Sequence, residues 1–289
     1  MKLNYTEKNV PILPLEIGAF SYNDILREEA DRIMEVQLLD QSLWSLLVDV
    51  FRCGNADNVG GTWKGEYWGK MMRGASFIYK SLPEGECASA LYEVLEETVI
   101  DLLSTQDKYG RIASYSVECE FTGWDLWCRK YVMLGLIYFM EISDNTGLCK
   151  RALDAVTAHA DYIVSKIGPG KDHPYITACT GAWDGLNSSS ILEPFVLLYN
   201  ITKEQRYLDF SEYIISCGGT AGENIFEKAY EDKTPLSEYA QPKAYEMISC
   251  FDGLCEYSKI TGNEKWRTAV IRFADRMLRE ESTVIGCLG

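Results

Sequence analysis

YFMEISDNTGL (138–148), LLYNITKEQRY (197–207) and EYSKITGNEKW (256–266) are three copies of one pattern set 59 residues apart. Each copy holds an Ile-(Ser/Thr) pair: Ile142-Ser143, Ile201-Thr202 and Ile260-Thr261. Six residues after each isoleucine stands a large apolar residue, Leu148, Tyr207 or Trp266. Every pair joins the end of one amphipathic segment to the start of the next. A fixed period of this length marks stacked supersecondary units, none of which can bury its apolar face alone.

Outward from the pairs, apolar residues at helical spacing predict helices in twos: 66–80 with 86–105, 125–141 with 145–167, 188–200 with 203–216, and 244–259 with 263–280. Ahead of them, VPILPLEIGAF is a proline-punctuated extended lead-in, and 22–52 reads as one or two helices. CGNADNVGGTW (53–63) is a glycine- and asparagine-rich loop. Strand signals are confined to short runs at 112–117 and 175–178. The expected fold is all-α, an (α/α)6-type toroid of helix hairpins. Residues 1–55 form a lead-in and helices packed on the barrel, and 56–289 form about four hairpins of ~59 residues each. A closed ring of six such hairpins needs roughly 350 residues, so the toroid is expected to be incomplete, with apolar faces at an open edge and self-association through it.

Bulk properties set limits. With 47% hydrophobic and 12% aromatic residues the chain can bury a large core, and disorder is excluded. No apolar run reaches the ~18 residues of a membrane span, and the first residues show no secretory signal. A net charge of −15 argues against nucleic acid or an anionic membrane as partner. Ten scattered cysteines with no CxxC spacing fit a reducing compartment, so the expected location is cytoplasmic.

The same 59-residue spacing links three acids, Glu66, Asp125 and Asp184, each close behind a tryptophan: Trp63, Trp124 and Trp183. Tyr245-Glu246 is a fourth aromatic-acid pair. In a toroid, equivalent positions come round the same rim, so these loops are expected to meet at one mouth. Flat rings stack on sugar C–H faces and carboxylates accept hydroxyl hydrogen bonds, which points to a carbohydrate. A structural account also fits each pair alone: an acid at a helix start suits the dipole, and the tryptophan packs the core. The candidate substrate-binding residues are Trp63, Glu66, Asp125, Trp183, Asp184, Asn187, Ser188 and Glu246, with Arg129 and Lys243 as charge partners for the acids. Ser188-Ser189-Ser190 also reads as a helix N-terminus whose hydroxyls satisfy free amides. Glu246, Cys250 and Cys255 are plausible zinc ligands by type. Cys255 lies on an apolar stripe and no fourth ligand is evident, so these thiols are read as buried and no metal site is assigned. His159 falls mid-stripe, as a core histidine does, and His173 lies in a loop. No GxSxG, phosphate loop or HExxH occurs.

Six segments together resemble the bacterial β-L-arabinofuranosidase-like family, glycoside hydrolase family 127 and its relatives. They are LPLEIGAFSYNDILREEADRIME (13–35), WKGEYWGKMMRGASFIY (63–79), LLSTQDKYGRIASY (102–115), WDLWCRKYVMLGLIYF (124–139), GLNSSSILEPFVLLYNITKEQRYLDFSEYI (185–214) and KAYEMISCFDGLCEYSKITGNEKW (243–266). The resemblance implies an (α/α)6 barrel followed by β-sandwich domains and the cleavage of a glycosidic bond in a plant- or glycan-derived sugar. It further implies a zinc-ligating cysteine nucleophile and a glutamate acid/base, a variant of the two-step retaining scheme. Residues 282–289 resemble the family segment just before that glutamate. The Glu-x-Cys and Cys-Cys motifs are therefore expected beyond Gly289, with no catalytic residue and no metal in this chain. Zinc would belong to a full-length homologue, and Glu246 and Cys250 do not take those roles. The family places histidines in the sugar pocket where this chain has Trp124 or Asp125, Ser188, and Lys243 or Tyr245, so the substrate is not carried over. Two other readings stand beside this one. One is an (α/α)-barrel sugar epimerase or unsaturated-uronide hydrolase using Asp125 and Asp184; the other is a non-catalytic helical fragment.

Overall fold

The computed structural model describes residues 3, 17–20, 23–52, 62–170, 172–180 and 182–287. The expected boundary at 55/56 and most of the loop 53–63 lie outside them, as does most of the lead-in. The described residues fall into two compact units, one within 12–120 and 128–162, the other within 121–127 and 163–289. Both are helical, as the period requires.

In the first unit, α1 (Ile25–Ile33) runs through a π-helical turn, Met34–Leu38, before the chain breaks and starts α2 (Gln41–Arg52). The break has a local cause. Asp40 Oδ1 accepts the N–H of Ser42 at 2.9 Å and the Ser42 hydroxyl at 2.6 Å, which caps α2. Next come α3 (Tyr67–Ser81) and α4 (Glu86–Ser104). Trp68 on α3 is buried and donates its indole N–H to Thr98 on α4 at 3.0 Å, satisfying both polar groups inside the apolar contact. Helices α5 (Asp125–Ile142) and α6 (Thr146–Val164) form the next hairpin and run across the division between the units.

The second unit holds α7 (Leu186–Ser189), α8 (Leu192–Thr202), α9 (Gln205–Ser216), α10 (Ile225–Glu231), α11 (Ala244–Thr261) and α12 (Glu264–Glu280). The helix expected over 188–200 starts earlier and is interrupted at Ser190-Ile191. Helix α8 packs on both α9 and α11, α11 on α12, and α10 on α12. At the α8–α11 contact only a glycine fits: a Cβ on Gly253 would lie 2.7 Å from the backbone nitrogen of Glu193. The expected strand at 175–178 is instead a 3-10 turn, Ile176–Ala178, and 112–117 forms no strand. An isolated bridge joins Gly219 and Asn224.

Among the described residues four hairpins result: α3/α4, α5/α6, α8/α9 and α11/α12. The recurring pairs of the sequence explain three of them. The hydroxyls of Ser143, Thr202 and Thr261 accept the N–H two residues on, from Asn145, Glu204 and Asn263, at 3.2, 3.2 and 3.3 Å. Each hydroxyl thus closes the hairpin turn locally. Asn145 and Asn263 then cap the second helix by accepting the N–H of Leu148 at 3.1 Å and Trp266 at 3.2 Å. Leu148 and Tyr207 are buried and Trp266 half-buried, so the anchor pins the new helix one turn after its start.

Candidate functional site

In the second unit the candidate residues sit where helices begin. Asp125, first residue of α5, is fully buried, and its Oδ2 accepts the N–H of Phe121 at 2.8 Å. Phe121 has a φ of +58°, so the carboxylate closes a left-handed turn. Asn187 braces the same turn: its Nδ2 donates to the carbonyl of Gly123 at 3.1 Å, and its Oδ1 accepts from the Thr180 hydroxyl and from the N–H of Ser188. Ser188 is fully buried and donates to the carbonyls of Ile176 at 2.7 Å and Gly185 at 3.0 Å. Its hydroxyl therefore satisfies carbonyls rather than the helix-end amides expected of it. Asp125, Asn187 and Ser188 thus act as fasteners for the loops around them.

Those fasteners position a row of rings. Trp124, in the braced turn, meets Trp127 edge-on at 5.9 Å, and buried Trp127 meets Tyr245 edge-on at 5.2 Å. Tyr245 is 46% exposed and precedes Glu246, which is buried in the first turn of α11. One helical turn later Cys250 donates its thiol to the carbonyl of Leu186 at 3.2 Å, so it is a buried, occupied thiol as expected. Cys179, which sequence reasoning did not select, is also buried. Burial and the neighbouring Asp125 carboxylate push its thiol up to about 12, which leaves it protonated and a poor nucleophile at neutral pH.

Trp183, Asp184 and Gly185 follow one another with φ of +57°, +52° and +111°. Two bonds pin this strained turn: Ala221 N–H to the Asp184 carbonyl at 2.8 Å, and Gly222 N–H to Asp184 Oδ2 at 3.0 Å. Trp183 is left 39% exposed, with the Lys243 ammonium 5.4 Å from its ring centroid.

In the first unit, Trp63 is half exposed and donates its indole N–H to the Tyr67 hydroxyl at 3.1 Å. Glu66 is buried and pairs with Lys70 one turn on, at 2.7 Å. Arg129 is fully buried and donates to Glu120 at 3.3 Å; Glu120 also receives Arg111 at 3.1 Å and the Tyr162 hydroxyl at 2.7 Å. Glu120 was missed because it falls in the irregular run between hairpins, where no periodicity marks it. His159 is the core histidine expected: its Nδ1 accepts the N–H of Ile112 at 3.0 Å. Burial, with Arg129 and Arg111 nearby, holds it well below the usual histidine range. Among the described residues no three His, Cys, Asp or Glu side chains cluster as metal ligands would.

Residues 23–289 match the family described as β-L-arabinofuranosidase, GH127 catalytic domain. Among solved structures, a GH127 β-L-arabinofuranosidase from Geobacillus stearothermophilus T6 is similar at a TM-score of 0.65 and 16% identity, over 93% of this chain and 46% of that one. A second, titled a GH127 β-arabinofuranosidase, is similar at 0.64 and 15% identity, over 91% and 42%. At such identity the likeness is one of fold. The chain spans less than half the length of these two relatives. No protein of curated function matches the sequence.

Proposed function

The chain belongs to the GH127 β-L-arabinofuranosidase catalytic-domain family, and on that premise we propose that it is the sugar-binding part of a glycoside hydrolase acting on plant- or glycan-derived sugars. The family match over 23–289 carries this reading. The exposed rings at helix starts give it a physical content: Trp183 and Tyr245 offer faces for sugar C–H groups, and Asp184 and Lys243 offer polar partners, whereas Glu246 is buried behind Tyr245 in the chain. In the first unit, Trp63 and Glu66 have the same helix-start placement, and Arg129 with Glu120 stiffens the segment leading into α5.

Breaking a glycosidic bond with retention needs a nucleophile and an acid that protonates the leaving oxygen. The family resemblance assigns the first to a zinc-bound thiolate. The described residues do not fit that group: they offer no three-ligand cluster, and the Cys250 thiol is bonded to a carbonyl. No step is assigned through zinc here, and the part assigned to this chain is binding. The rival acid/base pair is disfavoured, since Asp125 is fully buried with its carboxylate closing a turn.

The reading extends to setting. The nine described cysteines are all free thiols, in keeping with the reducing, cytoplasmic setting proposed here. No described helix is long and apolar enough to cross a membrane. A cleft of about 210 Å³ lined by Leu236, Pro242, Met247, Ile248, Phe273 and Met277 offers an apolar surface for association between copies. The test of function is a titration with arabino-oligosaccharides followed by tryptophan fluorescence. Trp183→Ala and Tyr245→Ala are each expected to weaken binding about tenfold with helicity unchanged. Equal binding by both variants would remove the assigned rim.

A further inference from the structure

We infer that Trp183 and Lys243 form a subsite for a sugar residue bearing a carboxylate, an inference that rests on the carbohydrate reading above and narrows its substrate class.

The first observation is backbone strain. A bulky residue with positive φ is an outlier, and each such residue costs about 1–3 kcal/mol. Of the described non-glycine residues with positive φ, Lys203 and Asp232 end helices in the common left-handed cap, Asp24 is the N-cap of α1, and Phe121 closes the turn held by Asp125. Only Trp183 and Asp184 take it consecutively. The strained turn is held from the 221–222 segment: the Ala221 amide donates to the Asp184 carbonyl at 2.8 Å and the Gly222 amide to Asp184 Oδ2 at 3.0 Å. The outcome of this arrangement is that a tryptophan is displayed rather than buried.

The second observation is charge. The phase that runs Glu66, Asp125, Asp184 at 59-residue intervals reaches Lys243 at its next step, so the sign inverts at the fourth equivalent position. In this chain of net charge −15, Lys70, Lys80, Lys228, Lys259 and Lys265 each sit on a carboxylate within 4 Å. Lys243 has no such partner among the described residues; its ammonium lies over the Trp183 ring instead. A cation held against an aromatic face keeps its donors for an incoming anion. A sugar ring stacked at Trp183 with a ring carboxylate reaching Lys243 uses both features, through a charge-assisted hydrogen bond.

The test compares two probes that differ only in the group in question: an α-1,4-linked galacturonic acid trisaccharide and its carboxyl-reduced counterpart. Both are titrated into the full chain beside a neutral arabino-oligosaccharide. The acidic probe is expected to bind at least about tenfold tighter than the reduced one. That ratio should fall to about one in Lys243→Met and persist in Lys265→Met, an exposed control. Equal binding of the two trisaccharides, or a ratio unmoved by Lys243→Met, overturns the acidic subsite, as does binding of the arabino-oligosaccharide alone; each leaves the carbohydrate reading standing. If no probe binds, the carbohydrate reading falls and this inference with it.

Discussion

Gly69 on α3 and Gly135 on α5 face each other at the point where the two helices touch. A Cβ on Gly135 would lie 3.0 Å from Gly69 Cα and 2.6 Å from the Trp68 ring, and one on Gly69 would lie 1.9 Å from the Tyr131 carbonyl oxygen. Alanine raises helix propensity by up to ~1 kcal/mol over glycine, but overpacking a close helix contact costs about 1–3 kcal/mol or more. The contact therefore decides the sign. Gly135→Ala and Gly69→Ala are expected to lower the urea midpoint, Gly69→Ala more, because its clash is with backbone. Gly74, on the same helix, has open space for 4 Å around the position a methyl would take, so Gly74→Ala should raise stability by about 1 kcal/mol, and the midpoint with it. Equal shifts at all three positions would contradict the close approach.

The hairpin turns allow a paired test of capping. Asn263 caps α12 through its side chain, whereas Glu204, at the equivalent place before α9, makes no capping bond. Asn263→Ala should cost about 1 kcal/mol, and Glu204→Asn should gain ~0.5–1 kcal/mol. Chemical denaturation of the two variants checks both. A destabilised Glu204→Asn would mean that the three turns are not equivalent in energy.

Stability should depend on pH through His159. It is buried between arginines, so its folded pKa lies well below 6.5 while the unfolded chain titrates near ~6.5. As pH falls below ~6.5 the unfolded state binds the proton first. The contribution is thus fully present above that pH and is lost on descent towards the folded pKa, at up to ~1.4 kcal/mol per pH unit. Urea melts at pH 7.5, 6.5 and 5.5 should show the loss in the wild type and a flatter response in His159→Gln. An identical slope in both would assign the pH dependence to other groups.

How much of this was legible follows from how local each cause is. The hairpins could be read because a hydroxyl that closes a turn onto an amide two residues on must recur at a fixed position, as Ser143, Thr202 and Thr261 do. Helix α10 has seven residues, too short for a periodic stripe, although Asn224 capping the N–H of Glu227 at 2.9 Å is a local signal in 224–227. The role of Ser188 was hidden because its partner carbonyl belongs to Ile176, brought near only by folding. Likewise the exposure of Trp183 depends on amides at 221–222, a segment without periodic pattern. Acids at helix starts were visible; which of them fasten loops and which face solvent was set by tertiary partners.

That distinction separates two candidates the sequence placed together. Ser188 is buried with both hydrogen-bond partners inside the fold, so Ser188→Ala should destabilise by about 1–3 kcal/mol by stranding carbonyls. Sugar affinity would change only as far as the loop loosens. Trp183 is the opposite case. Its backbone is strained and its ring displayed, so Trp183→Gly removes a positive-φ penalty of about 1–3 kcal/mol along with the stacking face. The variant should match or exceed the wild type in thermal stability while losing sugar-induced fluorescence change and affinity. A destabilised Trp183→Gly with intact affinity would make the tryptophan a packing residue, and would leave the strained turn without a function.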